Sequence, residues 1–306
     1  MEILISSGNW PPEEWVLGLY NDKNITKVHS WPTQENLDAV EVLLVWKPLP
    51  DGVVDRLPNL KFISSMGAGV DHLLGDPQIP VDIPVARIVD ARLRVDMTNY
   101  VMMAVMMYQR QFNLQSANQK ARQWERITYE NKRVGVMGLG ELGGNLASTL
   151  VTAGFDVSGY SRTSKSIEGV DCHTAKEQDQ FLSNLDVLVN LLPVTGHTEN
   201  ILNKDLFSKL KRSCYLINVA RGAHLNESDL VESLDSNQLS GAMLDVFKQE
   251  PLPSDHTFWS HPKITVTPHV ASVTTPSSAM KLILENCRRL KANEELLHLV
   301  DLKRGY

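Results

Sequence analysis

Residues 134–162 read VGVMGLGELGGNLASTLVTAGFDVSGYSR. A short β-rich run, 133–137, leads straight into Gly138-Leu139-Gly140-Glu141-Leu142-Gly143. Leu142, Leu146, Ala147 and Leu150 then recur at helical spacing, Gly154 breaks the pattern, and a second strand follows over 156–160. A bare GxGxxG is often only a loop. Set between a strand and a helix, with a second strand behind it, it marks a dinucleotide-binding βαβ unit. Gly138 permits the tight turn, Gly140 lets the backbone approach a pyrophosphate, and Gly143 lets helix and strand pack closely. The helix start at Glu141 and Leu142 offers unpaired N–H groups and a positive dipole end to the phosphates.

The far end of this unit bears on the choice of dinucleotide. A site for NADH places Asp or Glu at the end of the second strand, on the ribose 2′-hydroxyl, whereas arginine suits a 2′-phosphate. Here the chain reads Ser161-Arg162-Thr163-Ser164-Lys165, with no carboxylate before Glu168. Ser161, Arg162, Thr163 and Lys165 supply hydroxyls and positive charge, so NADPH is expected in preference to NADH.

Downstream, 186–193, 214–221, 241–247 and 264–267 are near-continuous apolar runs ending in polar residues, with helix patterns between most of them. Residues 227–234 are one such helix, and Asn226 can cap it. This is the pattern of a doubly wound parallel sheet, where ligands bind at the carboxyl ends of strands. Arg221, Asp245 and His269 all fall at such ends.

Upstream, strand candidates at 3–5, 42–46, 62–64 and 85–88 alternate with helical or polar pieces, giving a second α/β unit. Ser65-Met66-Gly67-Ala68-Gly69-Val70-Asp71 follows one strand directly. It reads either as a simple strand-to-helix turn or as a nest of N–H groups for an anion. Trp46, at another strand end, reads as core or rim, or as a ligand contact. Residues 96–112 form a helix that is apolar nearly all round, buried in a domain core or against a second subunit. A polar helix and loop follow over 109–131, with Trp124 isolated in them, and a final helix is expected over 275–299.

The composition sets outer bounds. A chain of 306 residues allows about two domains. Its net charge of −6 argues against broad nucleic-acid binding. Cys172, Cys214 and Cys287 show no CxxC spacing, which points to a reducing, cytoplasmic compartment and no structural metal. No run approaches the roughly 18 apolar residues of a membrane span, and the first residues resemble a strand rather than a signal peptide.

Taken in order, the motifs carry a family resemblance. Residues 216–222 (LINVARG), 244–253 (LDVFKQEPLP) and 267–271 (TPHVA), with the glycine turn and 66–71 (MGAGVD), resemble the signatures of D-2-hydroxyacid dehydrogenases. The resemblance covers nearly the whole chain. Residues 45–48 (VWKP), 160–163 (YSRT) and Arg304-Gly305-Tyr306 are similar to its glyoxylate/hydroxypyruvate reductase A branch. It implies an α/β fold of two doubly wound parallel-sheet domains. A Rossmann cofactor domain at 98–273 would be inserted in a flavodoxin-like substrate domain formed by 1–97 and 274–306.

The activity implied is NADPH-dependent reduction of a small 2-keto acid, with the substrate between the domains. His269 would give the proton, as a side chain whose charge changes near neutral pH. Glu250, placed beside it by the resemblance, would favour the imidazolium. Arg221 would hold the substrate carboxylate and polarise the carbonyl. Trp46, Met66, Gly67, Ala68, Gly69 and Val70 would complete the substrate site, and Leu192, Pro193, Val219, Ala220 and Asp245 the cofactor site.

A homodimer built on the cofactor domains is implied too, in which Trp124 reaches the neighbouring site. Asn99-Tyr100 departs from the Glu-His or Glu-Tyr pair of many members, which puts any polar contact from it in question. Two other readings stay open. One is a non-catalytic dinucleotide sensor resembling known corepressors, which intact Arg221, Glu250 and His269 disfavour. The other is an enzyme of the same fold acting on formate, phosphite or a bulkier 2-keto acid. Formate enzymes carry Gln where this chain has Glu250, and Trp46 would narrow the pocket.

Overall fold

The computed structural model describes residues 1–8, 10–74 and 76–301. Arg304-Gly305-Tyr306 therefore lies outside the described residues. In chain order the first elements are β1 (Glu2–Ser6), α1 (Glu13–Leu19), β2 (Lys27–Ser30), β3 (Val40–Val45), β4 (Phe62–Ser65), β5 (Val85–Ala86), α2 (Ala91–Gln109) and α3 (Phe112–Lys120). Then come β6 (Arg133–Met137), α4 (Glu141–Thr152), β7 (Asp156–Tyr160), β8 (Val170–His173), α5 (Gln178–Leu182), β9 (Val187–Asn190), α6 (Lys204–Lys209), β10 (Cys214–Asn218), α7 (Glu227–Asp235), β11 (Leu239–Leu244), β12 (Ile264–Val266) and α8 (Pro276–Ala292). The chain divides into two compact units, Met1–Arg92 with Val273–Tyr306, and Leu93–Ser272.

In the first unit the described strands pair in parallel, in the order β2-β1-β3-β4-β5. This is the flavodoxin-like order, whose strands reverse direction of travel beside β1. Leu4, Val40, Leu43, Val45, Ile63 and Val85 share one buried cluster. Trp15 and Leu19 of α1 are buried, as are Ala279, Met280 and Ile283 of α8. The two helices touch where Met280 Cε lies 2.6 Å from the position of a Cβ on Gly18.

In the second unit the order is β12-β11-β10-β9-β6-β7-β8, parallel throughout the described pairs. This is a Rossmann order with its switch point between β6 and β9. Alternation along β9 shows why both faces carry helices. Val187 and Val189 face a cluster with Met97, Val101 and Val105 of α2 and Leu146 and Leu150 of α4. Leu188 faces the opposite cluster, with Phe181 of α5, Phe207 of α6 and Leu230 and Leu234 of α7. Each such fully buried Val, Leu or Phe contributes roughly 1.5–3 kcal/mol.

Several expected boundaries move. The long helix starts at Ala91 rather than 96, because Asp90 Oδ1 accepts the Arg92 N–H at 3.0 Å and caps an earlier turn. It stops at Gln109 rather than 112, where Gln111 takes a left-handed conformation with φ of 50° and begins α3. The unit boundary falls at 92/93 rather than 97/98, since Met97 packs in the second unit's core. The last helix ends at Ala292, not 299. Asn293 is left-handed there (φ 55°), and the chain returns to pair Leu299 with Ala86. Asn226 caps α7 as expected, accepting the Asp229 N–H.

Candidate active site

The seven strands of the second unit point their carboxyl ends the same way, so the loops after β6, β7, β9, β10, β11 and β12 share one edge. At the switch point Gly138 adopts φ of 105°, and a Cβ there would meet Leu191 O at 2.6 Å. A Cβ on Gly143 would lie 1.9 Å from Gly138 O, so α4 sits hard against the turn. Gly140 differs. It is the N-cap of α4, in an extended conformation, and nothing lies within 4 Å of where its Cβ would project. That open space at a helix N-terminus is the room a pyrophosphate needs.

The contrast gives a direct expectation. Gly143→Ala should lower Tm, since overpacking against backbone costs about 1–3 kcal/mol. Gly140→Ala should leave Tm unchanged and weaken NADPH binding about tenfold, or about 1.4 kcal/mol. Thermal unfolding and a fluorescence titration read the two effects. Intact NADPH binding in Gly140→Ala would overturn the assignment.

At the end of β7, Arg162, Thr163 and Lys165 are exposed, and no carboxylate stands among them. Ser161 is 8% exposed, and its hydroxyl donates to Thr163 O at 2.7 Å. The hydroxyl proton thus shapes the turn, leaving the oxygen to accept. Glu141 opens α4 exposed, with Arg94 Nη1 at 3.6 Å, and Leu142 is half-buried beside it.

The loops after β9 and β10 are tied by a buried polar network. Asn190 and Asn218 end their strands opposite one another. Asn190 Nδ2 donates to Asn218 Oδ1 at 3.0 Å and lies 3.0 Å from His224 Nδ1. An amide nitrogen only donates, so His224 Nδ1 accepts. The ring proton then sits on Nε2 and donates to Pro193 O at 3.2 Å. Asn218 Nδ2 donates to Arg221 O at 3.1 Å, and its Oδ1 accepts the Ala220 N–H. Leu192 N–H donates to Asn190 Oδ1. The expected cofactor residues Leu192, Pro193, Val219 and Ala220 and the expected catalytic Arg221 thus lie along one network or directly beside it.

Arg221 and the histidine loop are joined through the segment after β11 and the Glu250 side chain. A Cβ on Gly222 would stand 1.9 Å from Phe247 C, so the turn after Arg221 packs directly on the segment after β11. Phe247 N–H donates to Glu250 Oε1 at 3.0 Å, and Glu250 Oε2 lies 2.8 Å from His269 Nδ1. His269 is left-handed (φ 54°), with 44% of its side chain exposed. Its Nε2 has no partner among the described residues. Arg221 Nη1 donates to its neighbour's carbonyl, Ala220 O, at 2.7 Å. One pair orients a protonatable ring, and one guanidinium is tied through Nη1 to the backbone beside it.

Asp245, expected at the cofactor, is 1% exposed, and its carboxylate is bonded to the histidine loop. Its Oδ1 accepts from Thr267 Oγ1 and the Val270 N–H, its Oδ2 from the Ala271 N–H, and its carbonyl from the His269 N–H. Sequence reasoning missed this anchoring, the Asn190–Asn218–His224 network and the Gly222 contact. The two asparagines carried a signal, as polar residues closing apolar runs. The others depend on which loops meet.

In the first unit, Met66 is 1% exposed and its N–H donates to Val45 O. Gly67 N–H donates to Ser65 Oγ at 3.2 Å, and Ser65 Oγ donates to Gly69 O. The N–H groups of Ala68, Gly69 and Val70 have no acceptor among the described residues, so the nest is narrower than expected. Trp46 backs it, with Cζ3 3.3 Å from the position of a Gly67 Cβ. Its ring also lies 5.4 Å from that of Trp10. The two tryptophans line a cavity of about 480 Å³ with Ser7, Pro11 and Lys47. Trp124 is 97% exposed.

A Rossmann unit with this glycine turn, an arginine after β10 and a carboxylate-paired histidine after β12 defines an NAD(P)-dependent oxidoreductase. The model of the D-isomer specific 2-hydroxyacid dehydrogenase NAD-binding domain matches residues 102–271, and the chain belongs to that family. Glyoxylate/hydroxypyruvate reductase A of Photorhabdus laumondii is 41% identical, with 100% of both chains covered. The NADPH-dependent glyoxylate/hydroxypyruvate reductase of Sinorhizobium meliloti, solved with NADP and sulfate, superposes with a TM-score of 0.93 at 36% identity over 100% of each chain. A D-isomer specific 2-hydroxyacid dehydrogenase of Xanthobacter autotrophicus Py2, solved with NADPH and MES, gives 0.93 at 35% identity over 100% of this chain and 99% of that one.

Proposed function

We propose that the protein reduces a short 2-keto acid with NADPH, glyoxylate to glycolate or hydroxypyruvate to D-glycerate. The observation that carries this reading is the His269–Glu250 pair, 2.8 Å apart. It stands on the same sheet edge as a glycine turn and a carboxylate-free Ser161-Arg162-Thr163 end that fit NADPH. The second unit is the cofactor domain and the first the substrate domain. The turn shaped by Gly138 and Gly143 receives the pyrophosphate at Gly140, with Glu141 and Leu142 at the helix start, and Arg162, Thr163 and Lys165 hold the 2′-phosphate.

NADPH, when bound, supplies the hydride to the carbonyl carbon. Arg221 clamps the substrate carboxylate and stabilises the negative charge that grows on the carbonyl oxygen. Glu250 engages Nδ1 of His269 and leaves Nε2 to deliver the proton to that oxygen. The Ala68, Gly69 and Val70 N–H groups are a second set of donors for the carboxylate, and Trp46 restricts the substrate to short chains. Hydride and proton together account for the two hydrogens gained by the substrate.

Arg162→Asp is the variant that tests the cofactor assignment. Losing a charge-assisted contact and gaining a repulsion should lower kcat/KM for NADPH at least about tenfold and shift preference toward NADH. An unchanged NADPH/NADH ratio would remove Arg162 from the site. Met103, Met106, Phe112, Leu114 and Trp124 expose large apolar surface. This supports a homodimer through the cofactor domains, readable by light scattering. A reducing, cytoplasmic setting suits the three unpaired cysteines.

A further inference from the structure

Tyr100 stands on α2, where the resemblance left its polar role in question. Its hydroxyl lies 2.5 Å from Thr267 Oγ1, across 167 residues of sequence. Thr267 Oγ1 lies 2.6 Å from Asp245 Oδ1. The direction of both bonds follows from donor counting. An Asp245 carboxylate can only accept, so the single Thr267 proton goes to it, and Thr267 must accept from Tyr100. Burial pushes the Tyr100 hydroxyl up to about 12, so it keeps its proton at neutral pH. The chain Tyr100→Thr267→Asp245 therefore runs one way and ends on a buried carboxylate.

That carboxylate, together with its own carbonyl, receives three successive N–H groups, those of His269, Val270 and Ala271. The first belongs to a residue held in the left-handed region, which for a non-glycine residue persists only where its surroundings over-determine it. With Tyr100 and Thr267 in place, Asp245 Oδ1 is fixed in the plane where Val270 finds it. Without them the carboxylate can turn about its last side-chain bond and release the loop.

We propose that Tyr100, acting through Thr267 and Asp245, is a positioning residue that sets the backbone of the loop carrying His269. The kinetic part of its test rests on His269 being the proton donor; the exchange part does not. Tyr100→Phe, Thr267→Val, Thr267→Ser and the Tyr100→Phe/Thr267→Val pair are compared as NADPH-bound full-length proteins.

Tyr100→Phe should lower kcat about tenfold, with KM for NADPH and keto acid little changed. It should also speed amide exchange at Val270 and Ala271. The double variant should be no slower than Thr267→Val alone, as expected of links in one chain, and Thr267→Ser should keep most of the activity. Unaltered exchange at Val270 and Ala271 in Tyr100→Phe would overturn the proposal, as would losses that multiply in the double variant. Full turnover in His269→Ala would instead overturn the proton-donor reading, while the exchange rates still decide the role of Tyr100.

Discussion

His269→Ala is expected to lower keto acid turnover by roughly 10²–10⁴-fold, the usual worth of a positioned general acid. NADPH affinity should stay close to that of the unaltered protein, because the glycine turn and the Arg162 end lie on other strands. The variant should also fold. The imidazole is 44% exposed and its main polar contact is Glu250, so little core packing is lost. The left-handed backbone at this position disfavours alanine by about 1–2 kcal/mol, a cost histidine bears in part, so the substitution adds little strain. A rate loss with intact NADPH titration and near-native Tm therefore reports chemistry rather than folding. Robust turnover would show that the proton comes from elsewhere.

Arg221→Gln should reduce kcat/KM for the keto acid by about 10²–10³-fold, the range seen when one donor to a developing oxyanion is removed. Both kcat and KM should change, because the guanidinium meets the carboxylate in the ground state and the oxyanion in the transition state. Lysine is a poor replacement. It keeps the charge but not the planar fork that grips a carboxylate with two bonds. The Asn218 and Gly222 contacts involve backbone near Arg221 rather than its guanidinium, so the loop should survive the substitution. A change confined to KM would reduce Arg221 to a simple binding residue.

What could be read from the chain beforehand follows a physical line. The strands β6, β9, β10 and β11 are central, buried on both faces, and show as continuous apolar runs. The glycines of the turn stand out because only a residue without Cβ fits beside Leu191 O or Gly138 O. The edge strands β2 (KVHS) and β8 (VDCH) were not legible, since half-solvated edges carry charged and polar residues and lose the apolar signature. The first turn of α2, with its two arginines, lacks the apolar repeat of the rest of the helix, and the Asp90 cap that starts it is set by backbone geometry. Gln111 breaks that helix without glycine or proline, so no local signal marks the end.

The site divides in the same way. Arg221, Glu250 and His269 were legible as residue types at strand ends and in motifs. Their supports were not. Tyr100 finds Thr267, and Asn190 finds Asn218 and His224, only once strand register and loop packing are set. Asp245 was legible as a strand-end carboxylate, but its hold on three successive N–H groups of the histidine loop belongs to the folded chain.

The most direct test of the account is the unaltered protein with hydroxypyruvate and each nicotinamide cofactor, followed by the loss of cofactor absorbance and the chirality of the product. The account predicts rapid NADPH consumption, a markedly lower kcat/KM with NADH, and D-glycerate formed in step with NADP. No cofactor consumption with hydroxypyruvate or glyoxylate, equal use of NADH, or an L-product would contradict it.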